Sequence, residues 1–204
     1  MTGVREPAVS RETRDRLAAF VALLLRWQGT VNLISARDAS PERLWSRHVE
    51  DSLRLAPLIP PGAKTAIDLG SGAGFPGLVL AIATGLRFAL VEADQRKAAF
   101  LREAARVTGT AASVHAGRIE ALALPPADLV TARALASLPA LLAWAAPLLA
   151  AGGVCLFPKG RGVEEELTAA AAGWHMQLRR VPSRTDPTAT ILCISELVRA
   201  PLRS

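Results

Sequence analysis

Ala66-Ile67-Asp68-Leu69-Gly70-Ser71-Gly72-Ala73-Gly74-Phe75-Pro76-Gly77 is the stretch on which the reading of this chain turns. A short apolar run ends in an acid, glycines follow at alternate positions, and Gly77 to Thr84 then reads as a helix. Glycines at a strand-to-helix turn let backbone pass close to a ligand and adopt positive φ. In an open α/β sheet such a turn lies at the carboxyl ends of the strands, where ligands bind.

On the C-terminal side, short strands and helices alternate. Thr65 to Leu69, Arg87 to Glu92, Ala112 to Ala116, Leu129 to Ala132 and Val154 to Phe157 read as strands. Gln95 to Val107 and Ser137 to Leu149 read as helices. This alternation predicts right-handed crossovers and a mostly parallel sheet with helices on both faces. Met176 to Val181 and Thr190 to Val198 are joined by a connection too short for a crossover helix, through Pro182, Asp186 and Pro187. The last two strands should therefore be antiparallel. On the N-terminal side, Leu17, Phe20, Val21, Leu24 and Leu25 follow helical spacing with one apolar stripe. Ser40-Pro41-Glu42 opens a second helix that runs to about Ala56 and stops before Pro57. Pro60-Pro61-Gly62 marks a boundary, giving a helical extension over 1–60 and an α/β domain over 61–204.

Two motifs overlap in the glycine turn. Gly72-x-Gly74-x-x-Gly77, with Glu92 twenty residues after Gly72, satisfies the dinucleotide fingerprint. Asp68-x-Gly70-x-Gly72-x-Gly74 satisfies the S-adenosylmethionine pattern. Asp68 favours the second, since a carboxylate suits the cofactor's ammonium group and not a pyrophosphate. Pro76 favours it too, because it removes a backbone donor where pyrophosphate needs one. Glu92 can accept hydrogen bonds from both ribose hydroxyls in either reading. A dinucleotide enzyme, or a glycine turn capped by Asp68, are the alternatives.

Among 204 residues, 24 Lys and Arg against 18 Asp and Glu leave a formal charge of +6, which favours a polyanionic partner, nucleic acid first. The two cysteines, Cys155 and Cys193, sit in apolar runs without metal spacing, as core residues of a reduced compartment. The first twenty residues alternate charged and apolar positions, unlike a signal peptide. Residues 134 to 158 carry no charge, but Pro139, Pro147 and Gly152-Gly153 suit a helix, a turn and a strand better than a membrane span.

Beyond the glycine turn, further segments stand in a telling order. They are Trp27 with Asn32-Leu33-Ile34-Ser35, Trp45-Ser46-Arg47-His48-Val49-Glu50-Asp51-Ser52-Leu53, and Val91-Glu92 with Lys97-Ala98-Ala99-Phe100-Leu101. Gly117-Arg118-Ile119-Glu120, Thr131-Ala132-Arg133-Ala134 and Pro158-Lys159-Gly160 complete the set. From about Leu24 to Gly162 the chain resembles the bacterial RsmG (GidB) family of 16S rRNA guanine-N7 methyltransferases. The resemblance implies a class I methyltransferase fold: a Rossmann-like, mostly parallel sheet closed by an antiparallel hairpin. It implies S-adenosyl-L-methionine held by Gly70, Gly72, Phe75, Glu92, Ile119, Glu120 and Arg133, to which the motif adds Asp68 and Gly74. Ile119 and Glu120, after the third strand, can receive the adenine edge. Arg133 can meet the methionine carboxylate or RNA. Arg47, His48 and Asp51, within one helical turn of one another, are expected to form an RNA-facing wall, and Lys159 to meet a phosphate. The expected partner is 16S rRNA or the small ribosomal subunit. A cytoplasmic monomer without metal or membrane attachment is expected.

Other nucleic-acid methyltransferases need groups that are missing from this sequence. Exocyclic amines call for an Asn/Asp-Pro-Pro-aromatic tetrapeptide, but Pro125-Pro126 lies between Leu124 and Ala127. Attack through C5 needs a loop cysteine, and both cysteines read as strand residues. Guanine N7 has a lone pair and no proton, so no catalytic side chain is assigned. Methylation of another RNA or a small molecule, and a non-catalytic RNA-binding module, remain as alternatives. The basic residues near the strand ends, Arg47, Arg118, Arg133, Lys159 and Arg161, favour RNA.

Overall fold

The computed structural model describes residues 9–183 and 188–201. Seven strands form one sheet: β1 (Thr65–Leu69), β2 (Arg87–Glu92), β3 (Ala112–Ala116), β4 (Ala127–Ala132), β5 (Leu149–Lys159), β6 (Trp174–Pro182) and β7 (Thr190–Arg199). Their order is β3-β2-β1-β4-β5-β7-β6. The first five are mutually parallel, and β7 pairs antiparallel with both β5 and β6. The expected hairpin is thus present, although Asp186 and Pro187 of its connection lie outside the described residues. β1 and β4 are central and covered on both faces, which is why they are buried along nearly their whole length without alternation.

Helices α1 (Arg11–Gln28), α4 (Gly77–Thr84) and α5 (Gln95–Val107) cover one face, around Phe20, Phe88 and Phe100. The predicted α1 stripe is the buried one, except that Leu23 is buried and Leu25 only partly so. Helices α6 (Leu138–Ala145) and α7 (Val163–Ala171) cover the other face, around Leu142, Phe157 and Trp174. Among the described residues no helix is long and apolar enough to cross a membrane.

Four segments differ from expectation. α7 is unassigned in the sequence reading, although Glu164, Glu165 and Glu166 in its first turn complement the helix dipole. α6 ends at Ala145, because Pro147 sits in a 3₁₀ turn (Ala146–Leu148) and Leu149 already begins β5. Gly152-Gly153 lies within β5, in a bulge between Leu149 and Val154, where Gly152 has φ +76°. The second helix starts as expected, with the Ser40 hydroxyl accepting from Arg43 N. It is interrupted, however: α2 (Pro41–Leu44) passes into a π turn (Trp45–Val49) and then α3 (Glu50–Leu53), ending before Ala56. Pro57 lies inside a further 3₁₀ turn, Ala56–Leu58.

Candidate active site

β1 has β2 on one side and β4 on the other, so the connections leave the sheet in opposite directions above its carboxyl end. This is where an open α/β sheet leaves a crevice. The glycine turn forms its floor. Ser71 N donates to Val91 O, and Gly72 N donates to Glu92 Oε2 at 2.8 Å. Glu92 Oε1 accepts from Asp94 N at 2.8 Å, so this one carboxylate ties the β1–α4 turn to the β2–α5 turn. Gly70 has φ +64°, and a Cβ there would come within 2.5 Å of Leu135, which folds over it from the β4–α6 loop.

Asp68 does not reach the crevice. It is 1 % exposed, and its Oδ1 accepts from the Thr131 hydroxyl of β4 at 2.6 Å. Its carboxyl packs against Gly77, where any Cβ would lie 2.5 Å from the Asp68 side chain. Burial pushes its pKa up to about 6. In this structure Asp68 braces the start of α4, because a central strand buried on both faces turns its side chain into the packing and not toward the turn above. Gly74 is likewise directed into the core, at 3.2 Å from Phe20 and Leu78 for an added Cβ.

The opposite wall comes from the helical segment. A π turn changes which side chains share a face. Here it leaves Arg47 half-exposed and turns His48 inward. The His48 ring stacks on Phe75 with centroids 5.0 Å apart, and the Arg133 guanidinium lies 5.8 Å from the same ring. Arg133 Nη2 meets His48 Nδ1. Asp38, buried beside them, holds Oδ2 2.6 Å from the Ser35 hydroxyl and 3.6 Å from His48 Nε2. Burial, then the Arg133 charge, lower the His48 pKa, with Asp38 opposing. The Ser35 hydrogen bond holds Asp38 below the usual carboxylate range. Burial lowers the Arg133 pKa, with Asp51, Asp68 and Asp38 opposing.

The resulting crevice has a volume of about 650 Å³, within the range of small-molecule sites. Of the residues singled out in the sequence, Gly70, Gly72, Phe75, Glu92, Ile119, Glu120, Arg133 and His48 line it. Asp68, Gly74, Arg47 and Lys159 do not. Lys159 Nζ donates to Ala136 O at 2.8 Å and to Glu166 Oε2 at 2.6 Å. The same Glu166 oxygen accepts from Leu138 N. The Lys159 ammonium is thus engaged inside the molecule, clasping the β4–α6 loop to α7. Asp38, Arg37, Lys97, Leu135 and Trp144 also line the crevice and were not expected there. Chemically, Glu92 offers acceptors to a diol, Arg133 donors to an anion, and Ile119 with Trp144 an apolar slot for a flat ring. Among the described residues no cluster of metal-ligating side chains exists.

The chain matches the GidB family, described as rRNA small subunit methyltransferase G, over residues 13–188. It is 59 % identical to the ribosomal RNA small subunit methyltransferase G of Acidiphilium cryptum (strain JF-5), covering 94 % of each chain. It is 56 % identical to the protein of the same name from Gluconobacter oxydans (strain 621H), covering 94 % of this chain and 97 % of that one. Among solved structures it is similar to an O-methyltransferase from Bacillus cereus in complex with SAH, with TM-score 0.58 and 18 % identity. That match covers 87 % of this chain and 91 % of the other. The structural likeness is one of fold, and the fold is that of class I methyltransferases.

Proposed function

Because the chain belongs to the rRNA small subunit methyltransferase G family, we propose that its crevice binds S-adenosyl-L-methionine and brings the methyl group to N7 of a guanine in 16S rRNA. The observation that carries this reading is the crevice itself. A strand-end carboxylate, Glu92, lies on one side, and a wall of His48, Phe75 and Arg133 stands on the other. In this assignment Glu92 receives the ribose hydroxyls with the lone pairs that Gly72 N and Asp94 N leave free. Gly70 and Gly72 let backbone approach the ligand. Ile119 and Glu120, in the 3₁₀ turn after β3, meet the adenine edge. Arg133 meets the methionine carboxylate or an RNA phosphate. Asp68 acts from below by fixing the start of α4.

Bound there, the cofactor supplies an electrophilic sulfonium methyl, and guanine N7 has a free lone pair and no proton to lose. The residues of this chain therefore bind, align and exclude water, and none needs to move a proton. RNA is favoured over a small molecule by the cations at the mouth. Arg37 and Arg118, with side chains 73 % and 81 % exposed, line the crevice, and Arg47, 52 % exposed, stands behind Asp38 of that lining. Exposed arginines at a crevice suit the phosphates around a target base. The segment before residue 61 supplies the RNA-facing wall. The unit is read as a cytoplasmic monomer. Two free, buried cysteines support a reducing compartment, and the exposed large apolar residues Val107, Leu135, Leu178 and Val198 lie on four separate segments.

The test is titration calorimetry with S-adenosyl-L-methionine and with NAD, followed by transfer of labelled methyl to small ribosomal subunits and naked 16S rRNA. Binding of the first ligand and labelling of rRNA are expected. Tight NAD binding without S-adenosyl-L-methionine binding would overturn the assignment.

A further inference from the structure

Asp38 is the buried polar group that the foregoing leaves unexplained. It is 5 % exposed, closes the 3₁₀ turn Ala36–Asp38 and lines the crevice. Its Oδ1 lies 3.7 Å from Arg47 Nε and has no hydrogen-bond partner; His48 Nε2 has none either. Leaving such groups buried and unsatisfied costs free energy. The contact on the other side of the ring assigns its proton by donor inventory. A guanidinium carries only N–H donors. Nδ1 of His48, which meets Arg133 Nη2, must therefore accept. The single proton of the neutral ring is then on Nε2, directed toward Asp38 Oδ2 at 3.6 Å.

We propose that Asp38 is a positioning residue for the methyl-transfer site: held by Ser35, it fixes His48 as the neutral Nε2–H tautomer, whose free Nδ1 then aims Arg133 into the crevice. The proposal rests on the reading above, in which Arg133 meets an anionic group there. A neutral imidazole suits this task because it occupies one Arg133 donor without cancelling the charge, as a carboxylate partner would. Protonating His48 removes the acceptor and sets two cations against each other. The charged groups facing His48 are Asp38 from the 3₁₀ turn (itself beside Arg37), Arg47 from its own turn and Arg133 from the end of β4. Burial and Arg133 keep the imidazole neutral at ordinary pH, while the Asp38 charge works the other way. The arrangement therefore comes apart only in acid.

The chain has three histidines, His48, His115 and His175, so long-range nitrogen–proton NMR can assign the His48 tautomer with single His→Gln variants. The same measurement is made on Asp38→Ala and Asp38→Asn. Cofactor affinity and single-turnover methylation are followed from about pH 5 to about pH 9. His48 in the parent chain is expected as the Nε2–H form. Asp38→Ala is expected to lose that preference and slow methyl transfer about tenfold, with no further loss when combined with His48→Ala. Asp38→Asn keeps an acceptor but removes the charge. It should retain the tautomer and the neutral-pH rate within about twofold, while the acid limb moves to lower pH. This shift is one that a purely structural role would not produce, and it decides the matter if Asp38→Ala does not fold. An Nδ1–H or cationic His48 at neutral pH, additive losses in the double variant, or an unmoved acid limb in Asp38→Asn would overturn the proposal. If the parent chain binds no S-adenosyl-L-methionine, the functional reading falls, whereas the tautomer measured on the free protein still decides the role of Asp38.

Discussion

At the scale of single residues, two carboxylates at the ends of neighbouring strands do opposite things. Glu92 holds two backbone amides and faces the crevice. Glu92→Gln puts an NH2 donor against one of those amides. It should weaken S-adenosyl-L-methionine binding by about 1 to 3 kcal/mol and also lower the melting temperature, read by calorimetry and thermal unfolding. Weaker binding with unchanged melting would mean that the two turns do not depend on Glu92. Asp68 is buried, with its pKa pushed up to about 6 from 3.8. A carboxyl with a raised folded pKa binds its proton more tightly folded than unfolded. Its contribution therefore grows as pH falls through about 6 toward the unfolded value, and is lost as pH rises through that range. Measured against Asp68→Asn, whose own cost does not titrate, the parent chain should gain about 1 kcal/mol between neutral pH and about pH 5. A stability gap that stays constant over that range would show that Asp68 does not titrate there.

At the scale of elements, the Lys159–Glu166 clasp sets the β4–α6 loop that carries Leu135 over Gly70. Lys159→Met leaves Glu166 and Ala136 O without the ammonium. It should cost about 1 to 3 kcal/mol of stability and weaken cofactor binding, with little change in the salt dependence of RNA affinity. Loss of RNA affinity alone would return Lys159 to the phosphate role expected from its glycine-flanked position. What is legible in the sequence follows from range. β1, β2 and α4 are short, largely apolar units bounded by Gly, Pro or polar residues, α5 carries an apolar stripe at helical spacing, and the glycine turn announces its own geometry. The π turn is not legible, because one extra residue in a helical turn leaves no mark on composition. Nor is the clasp, because Lys159 is brought to Ala136 and Glu166 by a loop, a strand end and a helix that only the fold assembles. Asp38 escapes for the same reason: its neighbours His48 and Arg133 come from different elements, and locally it is one acid in a polar turn.

At the scale of the whole molecule, an excess of positive charge meets a crevice lined by the exposed Arg37 and Arg118, with Arg47 beside Asp38. If these meet phosphates, RNA affinity should fall steeply with salt as counterions are released. Each of Arg37→Ala, Arg47→Ala and Arg118→Ala should lower the slope of log affinity against log salt by roughly one. A slope that none of them changes would mean the arginines are only solvated surface. The arrangement also accounts for a site without a catalytic acid or base. On the proposed reading the fold aligns the cofactor, the helical wall would orient the base, and N7 needs no deprotonation. The most direct test is to methylate 16S rRNA with labelled S-adenosyl-L-methionine and treat the product with borohydride and aniline, which cleave RNA at the cationic N7-methylguanine. The account predicts cleavage at a single guanine that carries the label. Labelled RNA that resists cleavage would contradict it.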